Sequence, residues 1–259
     1  VEGRAQRNIP SLLEEAAARF PQRKAYEDET CSMTFSEVRR LAASIGTGIA
    51  ALENPGRPVA VFMEKSVWMA VSLLAVSCGG CIYCPVDVAM PEARMDRILS
   101  VLEPAAVLTS GSMGARAREA CGDCPVLLVE DLAARPADEA LLASLRARIK
   151  SSDPLYILFT SGSTGMPKGV VGTHQTVLNN LEWLASRFDL GPDDVLGNQA
   201  PLHFVVADHD LYCPLKFGCS SFFIPAGYFS FPAKLIPLLN QHRVTTVFWV
   251  PFALGTIAS

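Results

Sequence analysis

Leu155-Tyr156-Ile157-Leu158-Phe159-Thr160-Ser161-Gly162-Ser163-Thr164-Gly165-Met166-Pro167-Lys168-Gly169-Val170 holds the densest chemistry in the 259-residue chain. The apolar run Leu155–Phe159 is long enough for one buried strand. It then breaks into hydroxyls and glycines and ends on a lysine. Glycines let the backbone turn tightly with its N–H groups facing inward, a concavity suited to an anion. Thr160, Ser161, Ser163 and Thr164 add neutral donors, and Lys168 adds a point charge. Strand, glycine–hydroxyl loop and lysine read as a cradle for the phosphates of a nucleotide. The pattern is not a Walker A loop, which closes on Gly-Lys-Ser/Thr; Lys168 follows Pro167 and precedes Gly169. A flexible Ser/Gly linker has the same loop composition, but no linker needs the apolar strand that leads in.

Half of the residues are apolar, enough for a substantial core in one large or two small domains. The net charge of -4 argues against nucleic acid or an acidic membrane as partner. Val1–Pro10 is polar and basic, unlike a signal peptide. Ser66–Val86 is an uncharged run of membrane-spanning length, but Gly79-Gly80, Pro85 and several Ser and Cys interrupt it, so a buried helix followed by a strand is expected. On these readings a soluble, cytoplasmic protein is expected. The spacing Cys78-x-x-Cys81-x-x-Cys84 with Cys121-x-x-Cys124 imitates zinc or iron–sulfur ligation. The first three lie in an apolar passage where Cys acts as a small hydrophobe, so no metal site is assigned, and no disulfide is expected in that compartment.

The capping-box pattern Ser11-Leu12-Leu13-Glu14 predicts a helix through Arg19, stopped by Pro21. A second helix starts at Ser36, with Val38, Leu41, Ala42, Ile45 and Ile49 on one face. Pro58–Met63 reads as a strand, Val67–Ser77 as a helix and Pro91–Leu102 as a helix with Arg94 and Arg97 on its polar side. Further strands are expected at Ala105–Thr109, Val126–Val129, Leu155–Thr160, Val195–Gln199, Ser220–Ile224 and Thr245–Val250. Helices are expected at Asp138–Ile149, His174–Phe188, Asp208–Lys216 and Pro232–Gln241, with Gly111–Asp123 as a surface connection. Such alternation predicts an α/β fold of mostly parallel sheets flanked by helices.

Thr160–Gly169 resembles, at every position, the signature loop of the adenylate-forming superfamily: acyl- and aryl-CoA synthetases, luciferases, peptide-synthetase adenylation domains and D-alanine–carrier protein ligases. Met33–Val38 is similar to the family's Leu-Thr-Tyr-x-Glu-Leu helix start. Gly80–Asp87 is similar to its Gly-Ala-Ala-Tyr-Val-Pro-Val-Asp passage, with Cys81 and Cys84 in place of small apolar residues. Asn198–Tyr212 resembles the Asn-Gln-Ala-Pro-Phe-Ser-Phe-Asp run of the carrier-protein branch. The resemblance implies that Phe204 is the gating aromatic near ATP and that Val205, Val206 and His209 line the acyl pocket, where spacings of one and four share a helical face. Amino-acid-activating members carry aspartate at the position of Val205, and valine cannot pair an ammonium. Either the substrate lacks an α-amino group, or Asp208 takes a displaced amine; the competing reading is that Asp208 caps the helix. Thr246–Phe252 fits the next pocket wall, with Phe248 or Trp249 narrowing the site.

The resemblance therefore implies an AMP-forming ligase that uses ATP and Mg2+ to convert a carboxylic or amino acid into an acyl-adenylate. The acyl group would pass to a carrier protein's phosphopantetheine thiol or to coenzyme A. Thr160 and Lys168 would be the catalytic pair, with Ser161, Gly162, Ser163, Thr164 and Gly165 completing the pyrophosphate cradle. Residues 1–259 would form the N-terminal part of the adenylation domain. The remainder, with a Tyr-Gly-Pro-Thr-Glu-like turn and a small lid domain bearing a lysine, would follow Ser259. Two alternatives stay open: an aryl- or acyl-CoA ligase, and a non-catalytic adenylation-like module.

Overall fold

The computed structural model describes residues 7–160 and 166–258, with side chains as far as residue 255. In chain order its elements are α1 (Ile9–Arg19), β1 (Lys24–Glu27), β2 (Ser32–Thr34), α2 (Phe35–Ala50), β3 (Pro58–Phe62), α3 (Val67–Cys78), β4 (Ile82–Val86), α4 (Glu92–Leu102), β5 (Ala106–Thr109), α5 (Gly114–Cys121), β6 (Val126–Leu128), α6 (Val129–Ala133), α7 (Glu139–Arg148), β7 (Pro154–Thr160), β8 (Lys168–Thr173), α8 (His174–Arg187), β9 (Val195–Asn198), α9 (Asp208–Phe217), β10 (Ser220–Phe223), α10 (Pro232–Gln241) and α11 (Pro251–Ala258). They build two sheets, β2-β1-β10-β9 and β6-β5-β3-β4-β7-β8. Neighbours run parallel except β1–β2 and β7–β8. The expected α/β class with mostly parallel sheets is what the chain adopts.

Helix α3 carries no charge and is buried on every side from Met69 to Ser77. A helix apolar all round belongs in a core, and α3 lies against α2 and the larger sheet, with strand β4 after it. That resolves Ser66–Val86 as the expected helix and strand. No helix among the described residues is long and apolar enough to cross a membrane.

Three expected starts and one connection are corrected. The cap of α1 is Asn8, whose Oδ1 accepts from the Ser11 backbone N–H at 2.9 Å, so the helix begins at Ile9 and not at Ser11. Its amide reaches the carbonyls of Arg146 and Ile149, tying α1 to the end of α7. Helix α2 begins at Phe35 and not at Ser36, because Thr34 and Glu37 form a reciprocal capping box. We expect Thr34→Ala to lower stability by about 1 kcal/mol in urea unfolding. Helix α4 begins at Glu92, with Pro91 as its cap. Gly111–Asp123 folds into a 3-10 turn and α5 instead of a plain connection.

Strand prediction erred in both directions. Strands β1, β2 and β8 were not anticipated; β8 carries two glycines and a lysine, which depress strand propensity. The seven residues of β7 template it, register by register from Pro154↔Thr173 to Thr160↔Lys168. Thr245–Val250 is not a strand: it makes one isolated bridge, Thr246 to Leu196. The segment then turns inward, and Trp249 donates its indole N–H to the Gly197 carbonyl at 2.6 Å.

Candidate functional site

The parallel strands β3, β4 and β9 lead at their carboxyl ends into Lys65, Asp87 and Gln199, and β7 ends on Thr160. Crevices at such ends are where open α/β sheets bind ligands. Two cavities occupy this rim. The larger, about 860 Å³, is lined among others by Tyr156, Phe159, Thr160, Phe204 and Val205. The smaller, about 450 Å³, is lined by Glu64, Lys65, Gln199 and Phe229 among others. Asp87, His203 and Phe204 line both cavities and stand between them.

Thr160 and Lys168 form the last register pair of the β7–β8 hairpin and bracket its mouth. The Thr160 hydroxyl leans toward the Lys168 carbonyl at 3.4 Å, and both residues are exposed. Ser161, Gly162, Ser163, Thr164 and Gly165 lie outside the described residues. The hairpin is tightly built below its mouth. A Cβ on Gly169 would stand 2.9 Å from Ile157 Cγ2, and one on Gly172 would stand 2.1 Å from Tyr156 Cζ. Glycine at 172 therefore lets the Tyr156 ring lie across the neighbouring strand.

That placement of Tyr156 organises the wall behind the larger cavity. Its hydroxyl donates to Asp208 Oδ2 at 3.1 Å, and its ring lies 5.7 Å from that of Tyr83. The Tyr83 and Tyr212 hydroxyls are hydrogen-bonded to each other. Burial pushes the Asp208 carboxyl up to about 7, against the hydrogen bond from Tyr156. Asp208 does not cap α9: no side-chain cap bond exists there, and Ala207 holds the cap position. The capping reading of Asp208 is thus overturned by its bond to Tyr156.

Two residues on, Asp210 is fully buried, accepts from Asn198 Nδ2 at 2.7 Å and is likewise pushed up to about 7 by burial. Lys65 donates to the Gln199 carbonyl at 3.1 Å, and burial pulls its ammonium down to about 8 although the Asp210 charge opposes the shift. Sequence reasoning missed Tyr156 and Lys65. Tyr156 looked like one more apolar strand residue, and Lys65 like an ordinary charge after a strand; only tertiary placement distinguishes them.

The expected acyl-pocket residues separate into two groups. Phe204 and Val205 face the larger cavity and are exposed by 53% and 62%. Val205–Ala207 is a 3-10 turn, so Val205, Val206 and His209 do not share one face of a single α-helix as expected. Val206 packs against the main core. The His209 ring lies 4.7 Å from Phe248, which meets Phe188 edge-on at 5.7 Å. Burial lowers the His209 pKa. Trp249 does not narrow the site; it is buried against Phe229 in a separate cluster. His203 sits 4.0 Å from Asp87, and burial holds its pKa down.

A model of the AMP-binding enzyme family matches residues 13–259. The chain is 28% identical over 243 residues to an L-proline–[L-prolyl-carrier protein] ligase of Pseudomonas fluorescens, covering 92% of this chain and 49% of that protein. It is 29% identical over 249 residues to vanchrobactin synthetase VabF of Vibrio anguillarum, covering 92% of this chain and 8% of that protein. A solved nonribosomal peptide synthetase, FmoA3 in its AMPPNP-bound form, superposes with a TM-score of 0.84 at 27% identity, over 99% of this chain and 27% of that one. The chain thus spans less than half the length of each of these proteins.

Proposed function

The chain belongs to the AMP-binding enzyme family, and from that premise we propose that it supplies the pyrophosphate-gripping and acyl-binding half of an enzyme that activates a carboxylic acid with ATP. The observation that carries this reading is the hairpin mouth bracketed by Thr160 and Lys168, opening beside a cavity of about 860 Å³ at the sheet's carboxyl rim. A substrate carboxylate attacks the α-phosphate, an acyl-adenylate forms and pyrophosphate leaves. Thr160, Ser161, Ser163, Thr164 and Lys168 hold the β- and γ-phosphates. Chemistry of this kind depends on positioning and on neutralising developing charge, for which a hydroxyl-rich loop closed by an ammonium is suited. Mg2+ would enter as the cation carried by the triphosphate, where it would neutralise phosphate charge. The acyl group then passes to a carrier protein's phosphopantetheine thiol, as the prolyl-carrier relative's name suggests; coenzyme A is the other acceptor of the same chemistry.

The acid most compatible with the cavity wall lacks an α-ammonium. Val205 presents an isopropyl group to the cavity, and Asp208 is engaged by Tyr156 and biased toward its neutral form by burial. A desolvated ammonium beside Val205 would find no carboxylate at that position; Asp87, which also lines the cavity, accepts from the Ala89 N–H at 2.9 Å and lies 4.0 Å from His203. The deciding experiment is ATP–pyrophosphate exchange by the full-length protein over a panel of aryl, aliphatic and α-amino acids. Acids without an α-amino group should support exchange, and Val205→Asp should shift the preference toward α-amino acids at least about tenfold. Preference of the wild type for α-amino acids would overturn the substrate assignment. No exchange with any acid, together with no ATP-dependent thermal shift, would favour a non-catalytic module.

A further inference from the structure

Cys121 is the last residue of α5, and Cys124 stands just before β6, the edge strand of the larger sheet. The two are joined by a tight turn: the Cys124 N–H donates to the Cys121 carbonyl at 3.1 Å, and Gly122 takes φ 54°, ψ -123°. A positive φ with ψ near -120° at the first central position is the type II′ geometry, which only glycine adopts readily and which holds the flanking Cα atoms within about 7 Å. A disulfide needs Cα atoms within roughly 4.4–6.8 Å. Both thiols are free, half-buried and on the wall of the same surface groove. Burial raises both thiols, and the charge of Cys124 adds to the rise of Cys121 to about 11, so exchange runs through a small thiolate fraction. The other cysteines do not combine these features: Cys81, Cys84, Cys213 and Cys219 are buried, and the half-buried Cys31 and Cys78 do not line this groove.

We propose that Cys121 and Cys124 form a reversible dithiol–disulfide site, oxidised by small zwitterionic disulfides that dock in the adjoining groove. That groove, about 420 Å³, is lined by Arg57, Asp96, Ser100 and Glu103 beside the two sulfurs. It offers a guanidinium to a carboxylate and carboxylates to an ammonium, the charge pattern of glutathione disulfide. Cys124 lies beyond the helix, whose C-terminal carbonyls disfavour a thiolate on Cys121, and so attacks first. Its thiolate displaces one thiolate from the small disulfide and forms a mixed disulfide. The Cys121 thiolate then attacks the Cys124 sulfur and releases the second small thiol. The protein pair loses two protons and two electrons, and the oxidant takes them up as two thiols. In the reduced chain the Cys124 thiol donates to the Pro104 carbonyl at 3.5 Å, so oxidation also releases that contact at the start of β6.

The test treats the folded protein with glutathione disulfide at pH 8, blocks residual thiols with N-ethylmaleimide and maps the peptides by mass spectrometry. The expected product is a Cys121–Cys124 cross-link, reversed by dithiothreitol, with the remaining cysteines alkylated only after unfolding or at their slower native rates. Cys121→Ser should stop the reaction at a glutathione adduct on Cys124. Full alkylation of both cysteines after treatment, or a cross-link that maps to Cys31 or Cys78, overturns the proposal. The wild-type measurement decides by itself, so the outcome does not depend on how any variant folds.

Discussion

Replacing Lys168 with alanine in the full-length enzyme is expected to slow ATP–pyrophosphate exchange by about 100- to 1,000-fold, the range typical of losing one preorganised charge or donor at a transition state. Lys168 is the first residue of β8, locked in register with Thr160 by backbone bonds of the hairpin. The backbone that positions it does not depend on its side chain, which is exposed. The substitution should therefore leave stability within about 0.5 kcal/mol of the wild type, and thermal unfolding checks that separation. If the ammonium meets charge that accumulates as pyrophosphate departs, kcat should fall more than KM for ATP rises. A rise in KM alone would make Lys168 an ordinary phosphate anchor. An unchanged exchange rate would remove the hairpin mouth from the mechanism.

How far the residues alone could lead is clearest at the elements around this hairpin. β7 was readable because five apolar residues run directly into a glycine–hydroxyl loop, and α8 and α10 because apolar spacing and a threonine or proline start mark them. Strand β8 was not readable, because Lys168-Gly169-Val170-Val171-Gly172-Thr173 becomes a strand only by pairing with β7. Thr245–Val250 misled for the converse reason. Its β-branched and aromatic residues read as a strand, while only Thr246 finds a bridging partner and Trp249 is drawn to the Gly197 carbonyl. At the site, the motifs placed Thr160 and Lys168 at the two ends of the glycine–hydroxyl loop and Phe204 and Val205 in a pocket, and the structure puts the first two at the hairpin mouth and the other two on the larger cavity. The Tyr156–Asp208 bond was not, since it joins residues 52 positions apart through a ring laid over Gly172. Patterns of period two or 3.6 carry no information about such a contact.

The two buried carboxyls at the start of α9 make the strongest demand on stability. Burial pushes the Asp208 and Asp210 carboxyls up to about 7 in the folded chain, against 3.8 in an unfolded chain. Asp208 faces Tyr156, Tyr83 and Tyr212; Asp210 faces Asn198 and Lys65. His174 shifts oppositely, to about 4 from 6.5, because it is buried while its Nδ1 accepts from the Ile9 N–H at 3.2 Å. Between pH 4 and 6.5 the folded chain keeps two protons, on the aspartates, where the unfolded chain keeps one, on His174. Stability from these groups therefore falls as pH rises, by about 1.4 kcal/mol per unit. Between 6.5 and 7 the unfolded chain has lost the histidine proton as well, so the fall steepens before it levels above 7. Lys65, near 8 when folded against 10.5, restores some stability at higher pH because there the unfolded chain binds the extra proton. Asp208→Asn keeps an acceptor for Tyr156 and removes the buried charge. It should stabilise the protein at pH 8 by on the order of 1–2 kcal/mol relative to wild type and do little at pH 4.5. Asp210→Asn should act in the same direction, since its amide NH2 replaces the buried, unpartnered Oδ1 and can donate to the equally unpartnered Oδ1 of Asn198. Urea unfolding of wild type and both variants at pH 4.5, 6 and 8 reads this directly. Parallel curves for all three proteins would mean that neither carboxyl is forced toward neutrality by its burial.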